Sequence, residues 1–305
     1  MKASVVIVIF VYNRPSHTQR VLEALRANVG IEESELFVFC DGARDNSTIE
    51  SVSEVRKIIR AIDWVKSKRV FESEENKGIE RSVIDGLNLV FSIYDKAIIL
   101  EDDIVCSKGF LSFMNQALDC YEHESNVAGI SGYAFSNPIE MPDSYFLPIG
   151  SGWGWGTWKR VWERTIFDGS LLQKKIKEVG EEKFNFGHYP YSDLLKPQEA
   201  GKLIPWDVCF YASYFIEGGV FLFPKNSLVE NIGFDGSGTH SDAPESIRVV
   251  KLSDSVKFEP IPVKLDPKIV RQVEKYFEMD FKPSFLGVLR TKFLRFLNAR
   301  IGGQR

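Results

Sequence analysis

Continuous hydrophobic runs alternate with amphipathic stretches over roughly the first hundred residues. Residues 3–12 form a run rich in β-branched side chains, which predicts a strand buried on both faces. Residues 16–30 then repeat apolar side chains at helical spacing, with Ser16 as the expected N-cap and Gly30 as the stop. The same two patterns recur along the chain. Further strands are predicted at 36–40, 68–71 and 97–100, and further helices at 49–62 and 78–93.

This βαβαβαβ order predicts an α/β fold with a mostly parallel sheet flanked by helices, because parallel strands need long crossover connections. Ligands of such sheets bind beyond the carboxyl ends of the strands. Polar clusters follow all four predicted strands at those ends. They are Asn13 with Arg14, Asp41 with Gly42, residues 74–76 and residues 101–103. We therefore expect one polar crevice.

The second half of the chain has a different, aromatic and glycine-rich composition. A helix is predicted at 110–121, a strand at 127–131, polar helical structure at 171–201, an aromatic helix at 205–218, and a hairpin formed by 220–223 and 227–231. A block of glycine and tryptophan at 150–158 lies between them. We divide the chain into one domain, 1–250, with halves 1–105 and 106–250, and a peripheral C-terminal extension, 251–305.

The last segment, 282–305, is basic and amphipathic. Its six basic residues, with no acid, are Lys282, Arg290, Lys292, Arg295, Arg300 and Arg305. The pattern favours an interfacial helix on an anionic membrane surface, although Arg300 encroaches on the apolar face. The alternative is a terminal helix docked on its own domain or on another subunit.

Composition limits the function classes. The 305 residues are 44% hydrophobic and 26% charged, as in an ordinary globular protein. Thirty-eight basic and 42 acidic residues give a net charge of −4, which argues against a nucleic-acid partner. Four separated cysteines without a CxxC pair predict reduced, buried thiols, and no apolar run reaches the length of a membrane span. The expected location is the cytoplasm.

The acidic run Glu101, Asp102 and Asp103 directly follows an apolar strand. Each carboxylate there is costly to desolvate unless a cation or a donor compensates it. Mg²⁺ or Mn²⁺ is commonly held by one or two carboxylates together with substrate phosphates. The run therefore indicates a metal and diphosphate site. The alternative is a solvated turn whose acids cap the helix that begins at Phe110.

Three segments resemble nucleotide-sugar glycosyltransferases of the GT-A fold. Residues 8–15 (VIFVYNRP) resemble their first strand and its arginine, residues 39–42 (FCDG) their second-strand aspartate, and residues 100–104 (LEDDI) their metal-binding acidic motif. The resemblance spans about residues 3–240. It is greatest to the inverting N-acetylglucosaminyltransferases of the N-glycan pathway and to bacterial family two enzymes.

The resemblance implies a role for each matching residue on the donor side. Arg14 would lie near the diphosphate or the base, Asp41 would bind the uracil or the ribose, and Asp102 would contact the ribose. Asp103 would coordinate Mn²⁺ or Mg²⁺, and Glu101 would contact the donor sugar. Taken alone, Asp41 is equally well a turn residue and Arg14 a surface cation.

The resemblance extends to five further residues. Asn76, in an Asn-x-Gly segment, would close the donor pocket, and Trp153 and Trp155 would border a sugar. Asp207 would be the catalytic base, although Val208 stands where the family carries a second aspartate. His240 would touch the metal or the diphosphate. The alternatives are a helix cap for Asn76 and Asp207, a packed aromatic cluster for the tryptophans, and a surface loop for His240.

The resemblance implies a metal-dependent inverting enzyme that transfers a sugar from a UDP-sugar to a hydroxyl of a glycan or lipid-linked acceptor in surface polysaccharide synthesis. Such an enzyme would lie in the cytoplasm, either free or peripherally bound at the inner face of the cell membrane. Val208 keeps a second hypothesis open, in which the protein is a non-catalytic nucleotide-sugar-binding or membrane-peripheral assembly subunit. A sugar nucleotidyltransferase is disfavoured, since residues 12–15 lack the glycine-rich first loop of those enzymes.

Overall fold

The computed structural model describes residues 5–135, 141–187, 189–196, 205–235, 252–254 and 257–280. Its strands are β1 (Val6–Val11), β2 (Glu35–Cys40), β3 (Ser67–Glu72), β4 (Lys96–Glu101), β5 (Ile104–Cys106), β6 (Val127–Ser131), β7 (Ser144–Leu147), β8 (Trp155–Trp158), β9 (Val220–Pro224) and β10 (Val229–Asn231). Its helices are α1 (Pro15–Arg26), α2 (Ile49–Arg60), α3 (Ile79–Phe91), α4 (Phe110–Cys120), α5 (Lys159–Trp162), α6 (Gly169–Val179), α7 (Glu181–Phe184), α8 (Tyr191–Leu194), α9 (Trp206–Ile216) and α10 (Pro267–Asp280).

Eight strands form one sheet in the order β3-β2-β1-β4-β8-β6-β9-β7. The strands β3, β2, β1 and β4 are parallel, and β6 is parallel to β9. Antiparallel β8 lies between β4 and β6, and antiparallel β7 forms the far edge. Helices flank this sheet, so the predicted α/β fold with a mostly parallel sheet is confirmed.

The first half folds as its pattern predicts. All six residues of β1 are buried, as expected for a strand covered on both faces. Helix α1 begins at Pro15, one residue before the predicted cap, because proline suits the first helical turn, where its missing N–H has no partner to lose. Four strand ends therefore meet at one edge of the sheet.

The predicted hairpin at 220–231 is wrong. Strand β9 pairs with β6 and β7, whereas β10 pairs antiparallel with β5, immediately after the acidic run. The pattern predicts β9 from its hydrophobic run, but the partners of both strands lie far away in sequence. After β9 the chain continues to β10, which lies beside the acidic run at the end of β4 and does not pair with β9.

The remaining predictions for the second half are confirmed only partly. Strands β7 and β8 were not predicted, and β8 comes from the Gly–Trp block. The polar region 171–201 contains α6 and two single-turn helices, α7 and α8. Three cysteines are buried as expected, but Cys120 is exposed.

The segment 257–280 packs against the rest of the protein. Val273 and Phe277 of α10 are buried in the core, and Tyr121 exchanges two hydrogen bonds with the backbone of Ile261. The domain boundary at 250 stays a prediction. The basic segment 282–305 lies outside the described residues. No helix of the described ranges is long and apolar enough to cross a membrane.

Candidate active site

Arg14 joins two of the strand-end acids. It follows β1, and Asp102 and Asp103 follow the adjacent strand β4, so the sheet topology brings them together. The Arg14 Nη2 donates to Asp102 Oδ1 at 2.5 Å and to Asp103 Oδ2 at 3.0 Å. The Tyr12 backbone N–H also donates to Asp102, at 3.1 Å. Asp102 is almost completely buried, and that burial raises its pKa despite the opposing effect of Arg14.

A glycine covers Asp103. The loop after β10 returns over the acidic run, where the Ile232 N–H donates to the Asp103 carbonyl at 2.9 Å. A Cβ atom at Gly233 would lie 2.3 Å from Asp103 Oδ2 and 3.0 Å from Arg14 Nη1. Only a residue without a side chain fits there, so this loop closely borders the Arg14–Asp103 pair.

Glu101 lies in the most acidic part of the site. Desolvation raises its pKa well above the usual value, and the negative charges of Asp103, Asp102 and Asp207 raise it further, whereas Arg14 lowers it. This favours the protonated form of Glu101. The influence of Asp207 shows that a carboxylate from α9 lies near the end of β4.

Asp207 lies in the first turn of α9, where it is exposed and its Oδ1 accepts from the Val208 N–H at 2.9 Å. Glu80, in the first turn of α3, accepts from the Trp206 N–H at 2.5 Å and so ties α3 to the start of α9. Desolvation raises the pKa of Glu80 to about 7, with a further rise caused by Asp207. Glu101, Asp207 and Glu80 thus form a second acidic group beside the first.

Asp41 is held by hydrogen bonds on both carboxylate oxygens. Oδ1 accepts from the backbone N–H groups of Gly42 (2.9 Å) and Lys77 (2.8 Å). Oδ2 accepts from the Asn76 side chain (3.0 Å) and from the Gly78 N–H (2.9 Å). The side chain is 8% exposed. Asp41 therefore holds the loop that leads into α3. These contacts are those of a turn residue, which was the alternative interpretation of Asp41.

Asn76 and Gly42 complete this loop. The Asn76 amide also donates to the Gly42 carbonyl at 2.9 Å, which bridges the loops after β2 and β3. A Cβ at Gly42 would lie 2.4 Å from the Glu75 carbonyl carbon, so the two backbones approach more closely than any side chain permits. The predicted donor contacts of Asp41 and Asn76 stay predictions.

The two tryptophans have different environments. Trp153 is half-buried and packs edge to face against Tyr133 and Phe234, next to the loop that covers Asp103. Trp155 lies in β8 with 1% of its surface exposed and is stacked on Trp206. The alternative of a packed aromatic cluster describes the contacts of Trp155, and the predicted sugar contact of both tryptophans stays a prediction. His240 lies outside the described residues.

Sequence reasoning missed Glu80 and Gly233. The only sequence signal for Glu80 was an acid in the first turn of a helix, which is an ordinary capping position. Gly233 belongs to a glycine-rich segment whose contact with Asp103 depends on the pairing of β10 with β5. Neither contact is visible without the tertiary structure.

The donor groups fit a divalent cation that arrives with phosphates. Within the described ranges, no three His, Cys, Asp or Glu side chains converge to form a complete metal site. However, the carboxylates of Asp102, Asp103 and Asp207 all act on Glu101, with Arg14 as the opposing cation. The pKa values of Glu80, Glu101 and Asp102 are raised. A carboxylate such as Asp103 can bind Mg²⁺ or Mn²⁺ when phosphate and water oxygens supply the other ligands.

No protein-family model and no curated protein matches the chain. The solved structures that are similar to it include TarS from S. aureus and a mannosyltransferase from Pyrobaculum calidifontis. S. aureus TarS aligns with 74% of this chain at 12% identity and a TM-score of 0.38, and this chain spans 36% of TarS. The mannosyltransferase PcManGT from Pyrobaculum calidifontis, in complex with GDP-Man and Mn²⁺, aligns with 70% of this chain at 14% identity and a TM-score of 0.37, with 69% of PcManGT covered. Similarity this weak does not bear on the activity of the chain.

Proposed function

We propose that the protein is a metal-dependent inverting glycosyltransferase of the GT-A type, which transfers a sugar from a UDP-sugar to a hydroxyl of a glycan or lipid-linked acceptor. One observation carries the proposal. Arg14 and the acids Asp102 and Asp103 meet at the carboxyl ends of the adjacent parallel strands β1 and β4, where Arg14 donates to both carboxylates. A cation beside paired acids at such strand ends supports binding of a diphosphate together with a divalent ion.

The donor would bind at the Arg14 side of the site. Asp103 would hold the Mn²⁺ or Mg²⁺, which offsets the negative charge of the diphosphate when bound. Arg14 lies between Asp102 and Asp103 and can contact phosphate oxygens from there. Asp102 keeps Arg14 in place and is the candidate ribose contact. Glu101, with its raised pKa, can donate a hydrogen bond to a sugar hydroxyl.

Asp207 is the candidate base. It would take the proton of the acceptor hydroxyl while that oxygen attacks C1 of the donor sugar. The bond from C1 to the diphosphate oxygen breaks, and the electron pair leaves with the diphosphate. A single displacement of this kind inverts the configuration at C1.

Val208 supports this assignment. Its side chain is 3% exposed and packs in the core, whereas Asp207 is exposed. An aspartate at 208 would be a buried carboxylate, so valine suits that position and says nothing against catalysis. The burial of Val208 therefore removes the argument that this residue gave for a non-catalytic assembly subunit.

The first test is a panel of UDP-sugars and GDP-sugars, with and without Mn²⁺, measured by thermal stabilisation of the full chain. We expect one UDP-sugar to raise the melting temperature only when Mn²⁺ is present, because ligand that binds the native state alone stabilises it. Asp103→Asn should abolish the Mn²⁺ dependence. Asp119→Asn, in a helix away from the site, serves as the control. If no nucleotide diphosphate binds with Mn²⁺, the donor assignment is wrong.

The second test is product formation from the best-binding donor and candidate acceptors. A sugar transferred to a hydroxyl acceptor supports the proposal. Formation of a nucleotide sugar from a nucleoside triphosphate and a sugar phosphate would instead assign a nucleotidyltransferase. Action on a lipid-linked acceptor at the membrane face, through the basic segment 282–305, is part of the same proposal, and binding to anionic vesicles by the full chain but not by a chain ending at residue 280 would support it.

A further inference from the structure

Helix α9 receives a capping hydrogen bond from another helix. Its first intrahelical bond is donated by the Cys209 N–H to the Pro205 carbonyl at 3.1 Å, so the N–H groups of residues 206–208 need acceptors from elsewhere. Pro205 has no side-chain acceptor to offer them. Glu80 Oε2, from the first turn of α3, accepts from the Trp206 N–H. A side chain of α3 therefore fixes the backbone at the start of α9.

The position of Glu80 in α3 favours this long-range contact. Gly78 is the N-cap residue of α3, and Glu80 follows it by two residues. The Glu80 carboxylate thus lies at the N-terminal turns of two helices, α3 and α9, whose unpaired N–H groups attract negative charge. Glu80 is half-buried, which limits competition from water for the Trp206 N–H. The hydrogen bond joins residues that are 126 positions apart in the chain.

The candidate base is the residue after the one that Glu80 holds. Asp207 Oδ1 accepts from the Val208 N–H at 2.9 Å, so the backbone of this first turn also orients the Asp207 side chain. The Trp206 ring stacks on Trp155 of β8, with ring centroids 5.3 Å apart. Glu80 fixes the backbone of Trp206, and Trp155 fixes its ring. A displacement of Trp206 would therefore move Asp207 with it.

The other end of this connection is the loop that Asp41 holds. Asp41 accepts from the N–H groups of Lys77 at 2.8 Å and Gly78 at 2.9 Å, and one residue separates Gly78 from Glu80. Asp41 and Asn76 are the predicted donor contacts at this loop. A continuous set of contacts therefore runs from the donor side through the first turn of α3 to the start of α9.

We propose that Glu80 is a positioning residue, which holds the candidate base Asp207 in place relative to the donor loop at 76–78. This inference rests on the proposed function and adds to it the side chain that links its donor side to its acceptor side. The contact requires an oxygen acceptor at the distance that a glutamate side chain reaches, and it does not require a negative charge. A displacement of about 1 Å at a reacting group can lower a rate by about 10²-fold, so the reach of the side chain should control the rate of transfer.

Three variants separate the reach of the side chain from its charge. Glu80→Gln keeps the reach and a carbonyl acceptor without the charge, Glu80→Asp keeps the carboxylate on a side chain one methylene shorter, and Glu80→Met keeps the length without the acceptor. We expect kcat for sugar transfer to fall about tenfold in Glu80→Asp and Glu80→Met, and at most about threefold in Glu80→Gln. Assays at about pH 6 suit this comparison, because the pKa of Glu80 is about 7 and its carboxyl group is mostly protonated there.

The loss should appear in kcat and not in donor affinity, because the Glu80 contact lies on the side of the base. Calorimetry with UDP and Mn²⁺ should give the same affinity for the wild type and all three variants. Asp168→Ala is the matched control. Asp168 Oδ1 accepts from the Leu171 N–H at 3.0 Å and caps α6, so its removal should lower the melting temperature and leave kcat unchanged.

Near-normal kcat in Glu80→Asp or Glu80→Met would overturn the inference, as would a loss in Glu80→Gln equal to theirs. A loss confined to UDP affinity, or an equal loss of kcat in Asp168→Ala, would also overturn it, because a positioning role at the base explains neither. If the wild type binds UDP with Mn²⁺ and transfers sugar while the variants depart from the expected pattern, only this inference fails. If the wild type does neither, the proposed function fails first.

Discussion

Asp41 and Glu101 end neighbouring parts of the same sheet, yet their environments differ. The Asp41 carboxylate accepts four hydrogen bonds from a loop that it holds in place. Glu101 lies among the carboxylates of Asp102, Asp103 and Asp207, and its pKa is raised well above the usual value. The negative charge of Asp41 is stabilised by hydrogen bonds from the protein itself. Glu101 belongs to a cluster that a bound cation or substrate would stabilise.

This difference distinguishes acids that stabilise the fold from acids that could act on a ligand. Hydrogen bonds from backbone N–H groups fix a carboxylate and satisfy its lone pairs. A cluster with excess negative charge is costly for the fold and persists where function requires it. We therefore expect substitutions at Asp41 to affect stability above all, and substitutions around Glu101 to affect activity and pH dependence.

The largest expected effect comes from Asp207→Asn. The amide keeps the shape of the side chain but cannot accept the acceptor proton, so transfer should fall at least ~10²-fold while donor binding is retained. Steady-state transfer and calorimetric donor binding measure the two effects. Glu217→Gln, just after the other end of α9 and paired with Arg164, should leave transfer unchanged. Near-normal transfer by Asp207→Asn would remove this residue from the role of base.

Asp41→Asn should have the next largest effect. Both oxygens of Asp41 accept hydrogen bonds, so the NH₂ group of an asparagine would point at an N–H donor in either orientation. The free energy of unfolding should therefore fall by about 2–4 kcal/mol. Urea denaturation measures this loss. The matched control is Asp85→Asn on the exposed face of α3, where the ion pair with Lys77 is solvated and the loss should stay below about 1 kcal/mol. Equal losses in the two variants would contradict the structural role of Asp41.

The smallest expected effect is that of Glu80→Gln, which changes how the stability of the protein depends on pH. The pKa of Glu80 rises from an ordinary value of 4.5 to about 7 in the folded protein. The folded state therefore binds the proton more tightly than the unfolded state, and stability falls as the pH rises from about 4.5 to about 7. Glu80→Gln should remove about 1–2 kcal/mol of that fall, after allowance for solvent screening of a half-buried side chain.

Denaturation of wild-type protein and Glu80→Gln across pH 4–8 measures this difference. Glutamine keeps a carbonyl acceptor for the Trp206 N–H, so the two proteins should be similar at pH 4 and diverge toward pH 8. Asp207→Asn should lower the pKa of Glu80, because it removes a neighbouring negative charge. Parallel stability curves would show that Glu80 titrates normally.

Local pattern was sufficient for the first half of the fold. Strand β1 is buried along its whole length, and its apolar run alone predicts this burial. The sequence predicts that Arg14, Asp102 and Asp103 share one crevice, and the pairing of β1 with β4 is what brings Arg14 into contact with both aspartates. The bonding of Asp41 was not visible in the sequence, because its donors lie on a loop whose path depends on the closeness of Gly42 to Glu75.

The sequence by itself determined the alternation of strands and helices and the acids at their ends, because hydrophobic period and turn chemistry act over a few residues. Only the tertiary structure decided that β10 pairs with β5, that Trp155 packs in the core against Trp206, and that Glu80 contacts the start of α9. Those features depend on contacts between segments far apart in the chain, and no local pattern specifies which segments become neighbours.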